Sequence, residues 1–252
     1  MRRALLLLLI VLPGCQPDDS PSAEPSPPVY LPVVVQELLD REPKPSHIIY
    51  LNREGATLVP GPDEASLNRS SIIENAELES YVVPAFRGSA RRWDDIVTCI
   101  RGHFEPYDVE IVEQRPTEPG YLMALMGGRA EGLGPSDGHD HGTVTGLAPF
   151  NGQAVENAVV LVFTRALRER TQSSCETAAM EIAHAYGLDH TTQCRDIMTY
   201  KRRCTRRRRF YDQPAACGEH EDRECRGGGM QNSHQMLLDV LGPRGGAAEA
   251  AP

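Results

Sequence analysis

Residues 175–200 read CETAAMEIAHAYGLDHTTQCRDIMTY, and this stretch constrains the fold more than any other part of the chain. Alanine and aliphatic residues before Gly187 favour a helix, and the glycine is a natural helix stop. His184 precedes the glycine by three residues, and His190 follows it by three. A chain that turns back at Gly187 carries the second imidazole towards the first. The stretch therefore predicts a helix, a glycine turn and two converging histidines.

Metal chemistry would suit this spacing. Residues i and i+4 lie one above the other on a helix face, so residue 180 and His184 point the same way. Three histidines leave zinc one open position for water, and a Glu beside the first histidine can polarise that water. Here position 180 is Met180. Its neutral thioether is a weak zinc ligand that is better suited to Cu(I). The spacing therefore indicates the fold more strongly than the chemistry.

Two motifs carry a family resemblance. Glu181, His184, Gly187 and His190 stand at the last four fixed positions of HExxHxxGxxH, and DIMTY at 196–200 is similar to a Met-turn. Together they resemble the metzincin zinc metalloproteases (matrixin- and astacin-like). The resemblance implies that Glu181 and Tyr200 are catalytic and that His184 and His190 are zinc ligands. Met180 then stands at the degenerate ligand position, and Met198 is the methionine of the Met-turn.

The resemblance also implies the fold class. We expect an α/β (α+β) metzincin-like catalytic domain, with a twisted mixed sheet, a metal-site helix, a Met-turn, a C-terminal helix and disulfide staples. Apolar runs predict strands at 47–52, 109–112, 121–126 and 158–163 and helices at 91–104 and 232–241, whereas residues 53–70 are rich in turn formers. In metzincins an edge strand beside the metal helix binds extended substrate, and Tyr121–Met126 is the candidate here.

The N-terminal residues predict export. Arg2 and Arg3 precede a short apolar run, as in a secretory signal, and Leu12-Pro13-Gly14-Cys15 resembles a bacterial lipobox. The alternative is a plain signal peptide. We predict a signal peptide at 1–14, a lipidated Cys15 on a disordered tether at 15–45, the folded domain at 46–242 and a disordered tail at 243–252. The protein would then be lipid-anchored in the bacterial cell envelope, facing the periplasm or the exterior.

Six cysteines follow Cys15, and an even number in an exported chain suggests three disulfides with fifteen possible connectivities. We favour Cys175 with Cys194, which would tie the motif helix to the segment before Met198. A second zinc site is the rival interpretation, although no CxxC pair supports it. The disulfide candidates are Cys99, Cys175, Cys194, Cys204, Cys217 and Cys225.

Charge limits the partners. The net charge of −9 at pH 7 argues against a nucleic-acid binder. Lys201–Arg209, KRRCTRRRR, is basic and could bind an anionic partner such as lipid headgroups, a glycan or an acidic substrate. Alternatively, it is a solvated loop partly neutralised by the acidic run at 219–224.

Three functional hypotheses remain open. The chain is a zinc metallopeptidase homologue that is impaired because Met180 replaces a zinc ligand; or an inactive pseudoprotease that binds peptides or proteins; or a structural envelope lipoprotein. His139 or His141 could replace the missing ligand in a working enzyme. The remaining histidines, His103, His220 and His234, suit surface or capping roles better. No Ser-His-Asp or Cys-His nucleophile pattern indicates another enzyme class.

Overall fold

The computed structural model describes residues 44–133, 144–201 and 208–245. Its strands are β1 (Ile48–Asn52), β2 (Ala56–Pro60), β3 (Arg69–Ser70), β4 (Tyr81–Val83), β5 (Glu110–Val112), β6 (Tyr121–Met126), β7 (Gly146–Leu147) and β8 (Val159–Val162). Its α-helices are α1 (Ser71–Asn75), α2 (Ala90–Phe104), α3 (Thr171–Ala185) and α4 (Ser233–Leu241). Over these residues, no helix has both the length and the apolarity that a membrane crossing requires.

A mixed five-stranded sheet in the order β5-β1-β6-β8-β7 forms the centre of the protein. The first four strands are parallel, and β7 runs antiparallel to β8 at one edge. Every residue of β6 and β8 is buried. Continuous apolar strands of this kind are typical of parallel sheets covered on both faces. The expected mixed α/β architecture is therefore confirmed.

Different layers cover the two faces of this sheet. Helices α2 and α3 pack against each other on one face, where alternate β6 residues meet Trp93 and Ile96 of α2. The other face is covered by a small sheet in the order β3-β2-β4 together with α1, through Leu58 and Ile73. The motif helix α3 thus packs against both α2 and the central sheet, and these two contacts fix its direction.

One prediction about the strands is wrong, and another is incomplete. Tyr121–Met126 is not an edge strand, because β6 lies between β1 and β8. Its unbroken apolar run is explained by burial on both faces, whereas an edge strand next to solvent would carry polar residues. Residues 53–70 are more than turns, since they include β2 and β3. The edge strand that neighbours the motif helix is β7.

Two disulfides join described cysteines, Cys99–Cys175 and Cys217–Cys225. The favoured Cys175–Cys194 pairing is therefore wrong. The reason is the side-by-side packing of α2 and α3, which brings Cys99 within 6.0 Å of Cys175 between Cα atoms. Cys194 is also disulfide-bonded, and Cys204 lies outside the described residues. The observed bridge fixes the N-terminal half of the motif helix to the neighbouring helix.

Candidate functional site

The motif helix α3 is buried over its C-terminal half, where three polar or sulfur-containing side chains keep a little exposed surface. Ile182 and Ala183 have no exposed surface, whereas Met180 is 8% exposed, Glu181 7% and His184 6%. Met180 and His184 are one turn apart, so they share a helix face. The three side chains that the sequence singled out on this helix are thus the ones with access to solvent near its end.

The rings of His184 and His190 come together as the spacing predicts. Their centroids are 4.3 Å apart, with planes at 87°. Nδ1 of His184 lies 2.7 Å from the carbonyl oxygen of Leu188, and Nδ1 of His190 lies 3.3 Å from that of Met198. Because a carbonyl only accepts, each Nδ1 carries the hydrogen and each Nε2 keeps a free lone pair. This is how metal-binding histidines are usually held.

Burial also keeps both imidazoles neutral. It lowers the pKa of His184 to about 3, helped by the neighbouring His190 ring. It lowers the pKa of His190 as well. A metal ligand must present an unprotonated nitrogen, so the pair is ready to bind a cation near neutral pH.

Gly187 makes the turn between the two histidines possible. Its φ of +93° lies in the left-handed region that favours glycine. A Cβ at this position would also lie only 3.0 Å from the backbone of Gln153. Any other residue would strain the turn and push against that neighbouring loop, so the glycine of the motif is required for the convergence of the histidines.

Asp189 holds the loop that carries His190. The Arg223 guanidinium donates to both of its carboxylate oxygens, at 2.7 and 2.8 Å. The backbone N–H groups of His190 and Arg226 donate to the same carboxylate, at 2.8 and 3.0 Å. Gln231 bonds the backbone of Asp189 through both ends of its amide. Burial alone would raise the pKa of Asp189, but these donors lower it to about 2. The carboxylate is therefore a charged anchor beside His190.

A second buried carboxylate, Asp196, shapes the segment that resembles a Met-turn. It accepts from the backbone N–H of Met198 at 3.1 Å and from the hydroxyl of Ser233 at 2.7 Å. Ser233 begins α4, so the C-terminal helix is tied directly to this turn. Burial raises the pKa of Asp196 to about 6 despite these donors. Met198 is fully buried, and its carbonyl oxygen also accepts from Thr191.

The side chain of Glu181 lies between its own helix, α3, and the edge strand β7. A Cβ on Gly146 would come within 2.2 Å of its Oε1 oxygen, so the strand passes directly over the carboxyl group. Burial raises the pKa of Glu181 to about 8. Glu181 is thus a buried carboxyl group with a strongly raised pKa, covered by an edge strand.

Tyr200 packs against the ring of His190. Its ring centroid is 4.2 Å from that of His190 and 6.3 Å from that of His220. Burial raises the pKa of its hydroxyl, and the negative charges of Glu181 and Glu219 add to this. The side chain is still 47% exposed. Tyr200 is therefore a partly exposed phenol packed beside His190.

These residues fit zinc only in part. Two Nε2 atoms are suitable zinc ligands, but a catalytic zinc site needs three protein ligands. Among the described residues, no third His, Cys, Asp or Glu forms a group with these two whose ligand atoms all lie within 4.8 Å. Met180 offers only a thioether, which holds Zn(II) poorly. The donor set is thus one ligand short of a zinc site.

Another group, Cys99, His103 and Cys175, does place its potential ligand atoms within 4.8 Å of one another. The two sulfurs are joined in a disulfide, which argues against a metal there. His103 lies with its Nε2 3.8 Å from the Cys99 sulfur. The cluster is therefore a disulfide packed against a histidine.

Other residues that the sequence singled out lie outside the described part of the chain or have partners elsewhere in it. His139, His141, Cys15 and most of the basic segment lie outside the described residues. Arg208, near the end of that segment, pairs with Glu176 of the motif helix at 3.6 Å. His234 bonds the Tyr107 hydroxyl, with 2.8 Å between Nδ1 and the oxygen, away from the site.

Sequence reasoning missed Phe150, whose ring centroid lies 5.3 Å from that of His184, and the anchor formed by Asp189 and Arg223. An Asp directly before the second histidine was the available signal for the anchor, but its partner is 34 residues away. The chain matches no protein-family model and no curated protein.

Proposed function

We propose that this chain is an exported, lipid-anchored metzincin-like metallopeptidase homologue with an incomplete zinc site and weak or no peptidase activity. One observation carries the proposal: the facing rings of His184 and His190, each with Nδ1 against a backbone carbonyl. The Tyr200 ring lies 4.2 Å from that of His190, and Glu181 lies in the same helix as His184; the resemblance implies that both act in catalysis. Because Met180 replaces a ligand, we assign no hydrolytic step to zinc in this protein.

Restoring the missing ligand tests this proposal. Met180→His would place a third imidazole one turn before His184, on the same helix face. Changes that only reorient a zinc ligand cost about 10–100-fold in affinity, so adding a ligand should raise zinc affinity by at least about 100-fold. Purified full-length chain would be equilibrated with buffered zinc and its metal content measured by mass spectrometry. Met230→His is the matched control, since Met230 is 63% exposed and outside the site.

Peptidase assays complete the test. The wild-type protein should cleave a quenched fluorescent peptide weakly or not at all. Any activity gained by Met180→His should disappear on chelation and in the double variant with Glu181→Gln, because the Glu carboxylate is the base beside the metal position. Stoichiometric zinc and chelator-sensitive cleavage in the wild type would contradict the incomplete site. A Met180→His variant that gains no zinc would contradict the family resemblance.

A second candidate function is peptide capture without hydrolysis, and β7 favours it. This strand lies at the sheet edge beside Glu181. Phe163 N–H donates to the Thr145 carbonyl at 2.9 Å, so alternation along the strand turns the N–H groups of Gly146 and Ala148 away from β8. An extended peptide could pair there as an added strand.

Removing one of those outward donors tests the capture hypothesis. Ala148→Pro deletes an N–H, whereas Ala148→Val keeps it at the same half-buried position. Fluorescence anisotropy against a library of extended peptides should show binding to wild type and to Ala148→Val and weaker binding to Ala148→Pro. Equal binding by both variants would exclude strand addition at β7.

The lipid anchor is tested separately. Cys15→Ser should block lipidation and move the protein from the membrane fraction to the soluble exported fraction. Radiolabelled fatty acid should enter the wild type alone. A wild-type protein that is already soluble and free of acyl chains would contradict this part of the proposal.

A further inference from the structure

Position 180 differs from the zinc-site pattern in the nature of the donor as well as in its strength. Met180 lies one turn before His184 and keeps 8% of its surface exposed, whereas Ala179 and Ile182 on either side of the Met180–Glu181 pair have none. As residues i and i+4 of one helix, Met180 and His184 lie on the same helix face, which places the thioether on the side that carries the first imidazole. Thioether and neutral imidazole are ligands that Cu(I) accepts readily, whereas Zn(II) favours thiolate, imidazole and carboxylate.

We propose that Met180, His184 and His190 form a Cu(I) site, with one sulfur and two Nε2 nitrogens as ligands. The ring centroids of the histidines are 4.3 Å apart, and both Nδ1 atoms are engaged by backbone carbonyls, so both Nε2 lone pairs are free to bind one ion. All three donors are neutral. The substitution that weakens the site for zinc is the one that suits it to a soft monovalent ion.

Charge and surroundings favour the same ion. His184 is only 6% exposed, and the Phe150 ring packs 5.3 Å from it between centroids. The unfavourable free energy of burying an ion rises with the square of its charge, so a divalent ion is harder to accommodate among neutral ligands.

This inference rests on the convergence of positions on which the proposed function also depends, but it requires no catalysis. The probe is Cu(I) itself, presented anaerobically to purified full-length chain in competition with a coloured Cu(I) chelator. Ascorbate serves as the reductant because it leaves disulfides intact, and free thiols are counted beforehand to exclude binding by cysteine. The wild type should take one Cu(I) per chain.

Met180→Leu should weaken Cu(I) binding by at least about tenfold, since it deletes the sulfur and keeps the apolar volume. Met230→Leu, at a 63% exposed methionine outside the site, should bind as the wild type does. X-ray absorption of the copper protein should show one sulfur and two imidazole nitrogens. Equal affinity of wild type and Met180→Leu, or a copper shell without sulfur, would overturn the inference.

The two proposals fail in different ways. If Met180→His gains zinc while Met180→Leu leaves Cu(I) affinity unchanged, the metzincin-like geometry stands and the Cu(I) site is refuted. If neither substitution changes any metal affinity, the three positions do not converge on one ion and both proposals are refuted. Stoichiometric Zn(II) that Cu(I) cannot displace from the wild type would also refute the copper site.

Discussion

The Asp189–Arg223 anchor should be a large local contribution to the stability of the site loop. Arg223→Gln removes two charge-assisted hydrogen bonds, of 2.7 and 2.8 Å, from a carboxylate whose side chain is 3% exposed. Hydrogen bonds to charged groups each contribute about 1.5–3 kcal/mol. The Arg223 side chain is 42% exposed, so water replaces part of the loss, and two backbone donors remain on Asp189.

We therefore expect Arg223→Gln to lower the free energy of unfolding by about 2 kcal/mol, which is less than the roughly 3–6 kcal/mol for two fully buried bonds because of this exposure and these remaining donors. For a domain of this size that corresponds to a fall in melting temperature of about 4–8 °C. Urea denaturation followed by circular dichroism would measure it. Arg101→Gln is the matched control, because Arg101 and Glu113 pair at 3.1 Å with 50% and 36% exposed side chains. That exposed pair should contribute less than about 1 kcal/mol.

The pH dependence of this stability difference tests whether it comes from the charge of Asp189. Arg223 and the backbone donors lower the pKa of Asp189 from 3.8 to about 2 against the effect of burial. A lowered folded-state pKa gives stability that is present above pH 4 or so and is lost as the pH falls towards 2. The difference between wild type and Arg223→Gln should accordingly be constant from neutral pH down to about 5 and shrink below about 4. An equal loss in both Arg variants, or a difference that does not change in acid, would refute this account.

Two other predictions concern the walls of the site. Gly146→Ala should destabilise the protein by about 1–3 kcal/mol, because its Cβ would meet Oε1 of Glu181 at 2.2 Å. The control is Gly102→Ala, in a helix and with no atom within 4 Å of the new Cβ, which should stabilise the protein by about 0.5–1 kcal/mol. Urea denaturation measures both changes. Burial raises the folded-state pKa of Asp196 to about 6, so the wild type loses stability as the pH rises from about 4 to 7. Asp196→Asn does not ionise and should become more stable than the wild type over this range, by up to about 3 kcal/mol. Parallel pH profiles of the two proteins would contradict this.

The sequence was most informative where apolar runs are long. Helix α2 and strand β6 coincide with their predicted ranges within a residue, because a helical period or an unbroken apolar run specifies the element locally. Strand β2 has one buried residue, Leu58, between exposed neighbours and gave no periodic signal. Short strands of this kind form because a neighbouring strand pairs with them, and that information lies elsewhere in the chain.

Within the site, local spacing predicted the meeting of His184 and His190 but nothing about what holds them. The pairing of Cys175 depends on how two helices pack, and the partner of Asp189 is 34 residues away. Both are consequences of tertiary structure, and six cysteines alone leave fifteen pairings open. The placement of β6 was different. A continuous apolar run is typical of a strand buried on both faces, but the family analogy led to the prediction of an edge strand.

The hydrogen bonds of this site suggest that its geometry is independent of any metal. His184 and His190 are oriented by the carbonyls of Leu188 and Met198, and Asp189 is held by Arg223. Small domains that fold around zinc lack such contacts and unfold when the metal is removed. Here a bound ion would add stability according to its concentration and affinity, about 2.7 kcal/mol at a hundredfold excess over the dissociation constant. A change of ligand at position 180 can therefore change which metal binds while the fold remains intact.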